Sequence, residues 1–324
     1  MKIKLLIFSF TFFLFFSCKN ENKKESENVT STEENTEQEP FFKLSLAQWS
    51  LNGPIRSGEM NPLDFAQKAS QLGFDGIEYV TQLYTPMMEE YGDAAMDSLL
   101  PKMKEKSEQY NVRNVLIMVD NEGDLAATAE SDRDAAVEKH KKWVDAAAYL
   151  GCHSIRVNLF GAEDAETWKE SSVDGLSKLS DYAATKNINV LVENHGGFSS
   201  NAELLMDVMN TVNKENCGTL PDFGNFCLKR EGGARWQAPC VEEYPIYKGV
   251  EELMPKAFAV SAKTYNFDEE GEETKIDYTK MMQIVKDAGY TNFVGVEYEG
   301  DLPNPEEGIK LTRELLITAS QNLK

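Results

Sequence analysis

The sequence predicts a (β/α)8 barrel, the TIM barrel of the α/β class, and three observations predict it. Eight short apolar runs recur after residue 40, longer amphipathic stretches separate them, and no glycine-rich phosphate loop follows the first run. Alternation of this kind is the pattern of a parallel sheet with helical crossovers. An open doubly wound sheet usually has fewer strands and tends to carry the phosphate loop, whereas Leu46-Ala47-Gln48-Trp49 leads into no such motif. Eight strand–helix units use the chain with little left over, as a closed barrel requires.

In chain order, residues 1–18 read as a lipoprotein-type signal peptide. Lys2 and Lys4 form a short basic region ahead of an apolar run, Leu5 to Phe16. That run is shorter than the roughly 20 residues that span a bilayer, and it suits a signal-peptide core. Ser17-Cys18 resembles a bacterial lipoprotein processing site, which makes Cys18 the lipidated first residue of the mature chain. An ordinary secretory signal with an incidental cysteine is the alternative. Residues 19–40 are almost devoid of apolar side chains and cannot offset the entropy of ordering, so they read as a disordered acidic and polar tether. The expected location is the bacterial cell envelope, lipid-anchored at the periplasmic or outer-membrane face, with the anchor as the only membrane contact.

Residues 41–324 form the barrel body. Its expected strands are Leu44–Trp49, Gly76–Val80, Asn114–Val119, Ser154–Phe160, Ile188–Glu193, Gly218–Phe223, Ala257–Lys263 and Phe293–Glu299. Several are apolar nearly throughout, as strands covered on both faces must be. Asn61-Pro62 supplies an N-cap and a proline for the first helical position. Asp132 to Leu150 reads as a long amphipathic helix stopped by Gly151, and Asp277 to Ala288 ends in the same way at Gly289.

With 41% hydrophobic and 10% aromatic residues the chain has ample material for a core, and its net charge of -21 excludes a nucleic-acid partner, whose phosphates need a basic footprint. No CxxC pair or Cys/His zinc spacing occurs. Cys152 and Cys217, each just before a strand, read as buried thiols. Cys227 and Cys240 share one long loop, where a disulfide and two free thiols are both open.

Alternate residues of a strand face the same side, so charged residues inside apolar runs carry information. Glu78, Arg156 with Asn158, Glu193 with His195, Asp222, Ser261 with Lys263, and Glu297 with Glu299 all fall at strand ends with the parity of the barrel mouth. Burying one lone carboxylate costs several kcal/mol, and three converging from separate strands repel unless a positive charge sits among them. A divalent metal on Glu193, Asp222 and Glu297 answers this economically. Oxygen donors favour Mn²⁺ or Mg²⁺, with Co²⁺ or Zn²⁺ as alternatives. The bland alternative is that each acid pairs with Arg156 or Lys263. His140 and His153 read as structural, whereas His195 follows Glu193 at a mouth position and is expected to touch substrate. Lys263 at a strand end is placed to stabilise an oxyanion.

At these residues the sequence resembles the xylose isomerase-like barrel family of sugar isomerases and epimerases. The resemblance rests on Leu72-Gly73-Phe74-Asp75-Gly76-Ile77-Glu78, Leu150-Gly151-Cys152 with Ile155-Arg156-Val157-Asn158, and Val192-Glu193-Asn194-His195-Gly196-Gly197. It continues in Pro221-Asp222-Phe223-Gly224-Asn225 and Gly295-Val296-Glu297-Tyr298-Glu299-Gly300. It implies a divalent metal on Glu193, Asp222 and Glu297 plus a seventh-strand ligand. It also implies a small-molecule carbohydrate substrate, held here by His195, Arg156, Asn158, Glu78, Asn225 and Glu299. The family's usual His-x-Lys-Asp is Ser261-Ala262-Lys263-Thr264 in this chain, so Ser261, His195 or a water stands for the usual imidazole. Asn225 stands where many relatives carry a substrate-binding His. The implied chemistry is proton transfer beside a carbonyl through an enediolate, with Glu193 and Glu297 as base and acid and Lys263 beside the oxyanion. A lyase or dehydratase acting on a keto-sugar or keto-glycoside is the second reading, and a non-catalytic lipid-anchored carbohydrate-binding protein is the third.

Overall fold

The structure, a computed structural model, describes residues 40–324. The expected signal peptide, Cys18 and nearly all of the expected tether lie outside the described residues.

Eight parallel strands follow one another around the sheet: β1 (Lys43–Ala47), β2 (Gly76–Val80), β3 (Arg113–Val119), β4 (Ser154–Val157), β5 (Asn189–Glu193), β6 (Cys217–Leu220), β9 (Val260–Thr264) and β10 (Phe293–Tyr298). Sequential neighbours pair throughout, and β1 pairs with β10. The ring closes between β6 and β9 through two isolated parallel bridges, Thr219 with Ala257 and Asp222 with Ser261. Backbone bonds from Ser261 to Pro221 and from Phe223 to Ser261, at 2.9 and 3.1 Å, complete this seam. The fold is thus the expected eight-stranded barrel.

The core strands are buried on both faces, which explains why they read as apolar runs. The helices Glu130–Leu150, Ala165–Ala184 and Pro305–Gln321 are among those that cover the outside. Gly151 ends the first of them in the left-handed region, at φ 77°, as its position predicts. Asn61 caps its turn by accepting from the Leu63 amide, with Pro62 at the first helical position.

Several strand ends differ from expectation. The first strand stops at Ala47, and Gln48–Leu51 turns into a 3-10 helix that swings Trp49 over the mouth. The fourth stops at Val157, which leaves Leu159 and Phe160 in a loop. The run from Gly218 to Phe223 and the run from Ala257 to Lys263 keep only Cys217–Leu220 and Val260–Thr264 as continuous strands. Residues of the long loop form an additional antiparallel pair, β7 (Cys227–Arg230) and β8 (Cys240–Glu243). A disulfide between Cys227 and Cys240 staples this hairpin, which resolves the alternative left open by their spacing. Cys152 and Cys217 are buried free thiols, as expected.

Candidate active site and metal centre

Three of the predicted acids meet. One carboxylate oxygen each from Glu193, Asp222 and Glu297 lies within 4.8 Å of the other two, and all three residues are buried. Their strands explain the convergence: Glu193 ends β5, Asp222 pairs across the seam with Ser261 of β9, and Glu297 is next to the last residue of β10. The backbone of Asp222 is held by Asn194, whose amide donates to the Asp222 carbonyl and whose oxygen accepts from the Asp222 N–H, at 2.9 and 2.7 Å. Asp222 Oδ1 accepts from the amides of Gly224 and Asn225 at 2.8 Å, which leaves Oδ2 facing the cluster. This turn is the local habit of Asp in such sequences.

Basic side chains stand in the cluster as well. Lys263 Nζ is 2.9 Å from Glu297 Oε1, 3.3 Å from Glu299 and 3.8 Å from Asp222. Arg156 pairs with Asp120 at 2.8 Å, and its Nε stands 2.7 Å from Glu193 Oε2 at an angle too poor for a hydrogen bond. Asn225 donates to the other Glu193 oxygen at 3.0 Å. The bland pairing expected for each acid is therefore partly realised, while the acids still face one another. Six carboxyl groups (Glu78, Asp120, Glu193, Asp222, Glu297 and Glu299) share two full cations.

The imbalance appears in the acidities. Burial, partly offset by Arg156 and reinforced by Glu297, pushes Glu193 up to about 7. Burial likewise takes Asp222 up to about 8, against the pull of Lys263 and with repulsion from Glu193 and Glu297. Glu299 and Asp120 move the other way: burial opposes their charge, but Lys263 and Trp49 outweigh it for Glu299, and Arg156, His195 and Asn158 for Asp120. Burial would lower Lys263, yet Glu297, Glu299 and Asp222 hold it well above its ordinary value, so it is an ammonium at neutral pH. Burial and Arg156 draw His195 down to about 4, which leaves a neutral imidazole. Ser261 Oγ lies 2.7 Å from Asp222 Oδ2 and 2.8 Å from Glu297 Oε2. A hydroxyl has one proton to donate, so a proton on Asp222, whose carboxyl burial raises to about 8, accounts for the second of these close oxygen contacts. Crowded hard oxygen donors short of positive charge suit a divalent cation, and in chemistry and convergence the donor set fits one.

Next to the cluster opens a cavity of about 430 Å³, within the usual range for ligand pockets. Arg156, Asn158, His195, Asn225, Glu297 and Glu299 line it, which brings together six of the residues predicted to bind or react with substrate. His195 Nδ1 is 2.6 Å from Asn158 Oδ1, and Asn158 in turn donates to Asp120 at 2.7 Å. Glu193, Asp222, Ser261 and Lys263 lie behind this lining and reach it through Arg156, Asn225, Glu297 and Glu299.

Glu78 needs a correction. It does not line the cavity: its carboxyl sits one layer deeper, bonded to Ser45 at 2.6 Å, in the space that Gly295 leaves. A Cβ on Gly295 would stand 2.5 Å from that carboxylate. Parity correctly turned Glu78 inward, but depth in a barrel depends on strand stagger, which parity does not carry. Burial, offset in part by Ser45 and increased by Glu297 and Glu193, pushes Glu78 up to about 8. The unfolded chain releases this proton near about 4.3. Between that value and 8 the folded state holds more protons than the unfolded one, so stability falls as pH rises through the window. Glu78→Gln keeps the Ser45 bond and removes the titration. Urea denaturation should show the variant gaining on the order of a few kcal/mol over the parent at pH 8, and little at pH 5. An unchanged pH dependence would show that Glu78 is not the protonated group.

Sequence reasoning also passed over Asp120, Asn194, Trp49 and Trp236. Asp120 follows an apolar run as the predicted acids do, so the same signal marks it. His140, read as structural, is buried with Nδ1 on the Ala136 carbonyl, and it also borders the cavity.

The sequence profile of the xylose isomerase-like TIM barrel family matches residues 66–318, and the chain belongs to this family. No curated protein matches it. Among solved structures, IOLI protein with a binding zinc atom is similar at TM-score 0.63 and 18% identity, covering 87% of this chain and 99% of that one. D-psicose 3-epimerase from Clostridium cellulolyticum H10, solved with D-tagatose, is similar at 0.61 and 15%, covering 86% and 96%. The probable 3-DHS dehydratase AsbF from Bacillus anthracis is similar at 0.58 and 17%, covering 85% and 98%. Identities this low establish the shared fold.

Proposed function

We propose that this protein is a metal-dependent sugar isomerase or epimerase that moves a proton beside a carbonyl. The carrying observation is the convergence of Glu193, Asp222 and Glu297 beside Lys263, next to a cavity lined by polar side chains. Glu193, Asp222 and Glu297 would hold the ion, with the Ser261 hydroxyl beside them; Mn²⁺ or Mg²⁺ suits these donors best, and Zn²⁺ and Co²⁺ are the alternatives. Such an ion polarises a carbonyl oxygen and offsets the charge that grows on it. Glu193, raised to about 7, is poised as a base at neutral pH. It takes the proton from the carbon next to the carbonyl, and Glu297 returns a proton to the opposite face or to the neighbouring carbon. Lys263 stabilises the enediolate oxygen. Arg156, Asn158, neutral His195, Asn225 and Glu299 hold the hydroxyls.

A lyase or dehydratase begins with the same proton abstraction and then expels a group. Ser261 in place of the family's usual His, together with the dehydratase among the neighbours, supports this second reading. Incubation of the Mn²⁺-loaded protein with keto-sugars in deuterated water separates the two. An isomerase or epimerase incorporates deuterium at carbon, whereas a lyase releases a fragment. Neither outcome, with sugar bound, would leave the non-catalytic binding protein standing.

The location in the envelope is likewise a proposal, carried by Lys2, Lys4, the run to Phe16 and Cys18. Cys18→Ala should move the protein from the membrane to the soluble fraction; continued membrane attachment would end the lipidation idea.

A further inference from the structure

Trp236 is an exposed large hydrophobic residue, 43% accessible, and it lines the cavity. An exposed indole contributes little to folding, and at the rim of a polar cavity it offers a flat apolar face with a polar edge, the surface that stacks on the C–H face of a sugar ring. Its position is built rather than incidental. The ring rests 4.8 Å from His195 and meets Phe160 edge-on at 5.5 Å. The neighbouring Arg235 lies over Phe160 at 4.5 Å and bridges to Asp124 at 3.2 Å, which ties the tip of the hairpin to the loop after β3. Gln237 sits at φ 64°, a left-handed conformation that a side chain adopts at a cost and that persists only where the surroundings impose it. The Cys227–Cys240 disulfide closes the base of the same hairpin.

A second tryptophan faces the same cavity from another part of the ring. Trp49 follows β1, three strands from β6 around the barrel, and it is held by Glu299 at its Nε1 and by Arg56 4.7 Å above its ring. The reacting ring belongs at the carboxylates. Trp236 is exposed whereas Glu193 and Glu297 are buried, and it reaches the cavity beside His195.

We infer that the stapled hairpin presents Trp236 as a platform for a second sugar ring, so that the site takes a glycoside rather than a free monosaccharide. Trp236 is in this sense a specificity-determining residue, and the disulfide is what positions it. The inference rests on the carbohydrate reading of the site above and names its substrate class.

The test is binding of glucose, cellobiose, maltose, lactose and trehalose to the whole barrel-containing chain, followed by calorimetry. At least one disaccharide should bind tenfold or more tighter than glucose. Trp236→Ala should abolish that preference while leaving glucose binding and thermal melting unchanged, and Trp236→Tyr should restore most of it. The double variant Cys227→Ser/Cys240→Ser should weaken disaccharide binding in the same direction, with β1–β10 pairing and catalysis on small keto-sugars retained. Equal affinity for every disaccharide and for glucose, or a preference untouched by Trp236→Ala, overturns the inference. Deuterium incorporation into keto-sugars tests the proton-transfer reading separately, so the failure of one is distinguishable from the failure of the other.

Discussion

Glu193→Gln should lose turnover by at least the 10²–10⁴-fold that a positioned acid–base group contributes, while the fold survives. The amide has nearly the same size and shape, and its oxygen still accepts from Asn225, which now donates at 3.0 Å. Arg156 keeps its 2.8 Å pair with Asp120 and so is not left as an isolated buried cation. What disappears is a carboxylate that burial raises to about 7, in the range where a base works at neutral pH. Circular dichroism and thermal melting report the fold, and deuterium exchange into a keto-sugar reports the chemistry. A folded variant that keeps a tenth of the parent rate would show that another group takes the proton.

Lys263→Met should produce the largest loss of stability, about 3–5 kcal/mol in chelator, because removing one member of a buried charge cluster leaves the others uncompensated. The ammonium stands within 4 Å of Glu297, Glu299 and Asp222 and is itself fully buried. Methionine fills similar space, so the loss is electrostatic and not a cavity. The proposed divalent ion would bring the charge back, so urea denaturation with Mn²⁺ in place of chelator should recover a large part of the deficit. A variant as stable as the parent in chelator would mean that the acids shed their charge by protonation alone.

The barrel was legible because its physics is local and repeated. Strands buried on both faces, such as Asn114–Val119 and Phe293–Tyr298, have no polar face to disguise them, and Gly151 and Gly289 punctuate the helices between them. The acids were legible for the same reason: a carboxylate within an apolar strand has to be explained, and parity says which side it faces. Other features depend on information that a strand's own residues do not hold. The depth of Glu78 is set by how neighbouring strands are staggered. Trp49 and Phe160 looked like strand residues, yet the chain leaves the sheet before each of them. The hairpin β7–β8 has no hydrophobic periodicity, and its first two residues in register, Cys227 and Glu243, differ in burial. Trp236 was silent because a lone aromatic in an irregular loop gives no pattern to read.

The shared position of Ser261 between Asp222 and Glu297 has a stoichiometric consequence. With one hydroxyl hydrogen between two close oxygens, a hydrogen held on the raised Asp222 carboxyl completes the arrangement, and the proposed cation would displace it on binding. Uptake of the proposed metal would thus release hydrogen ions, and its occupancy would follow the acidity of the surrounding medium as well as the supply of metal.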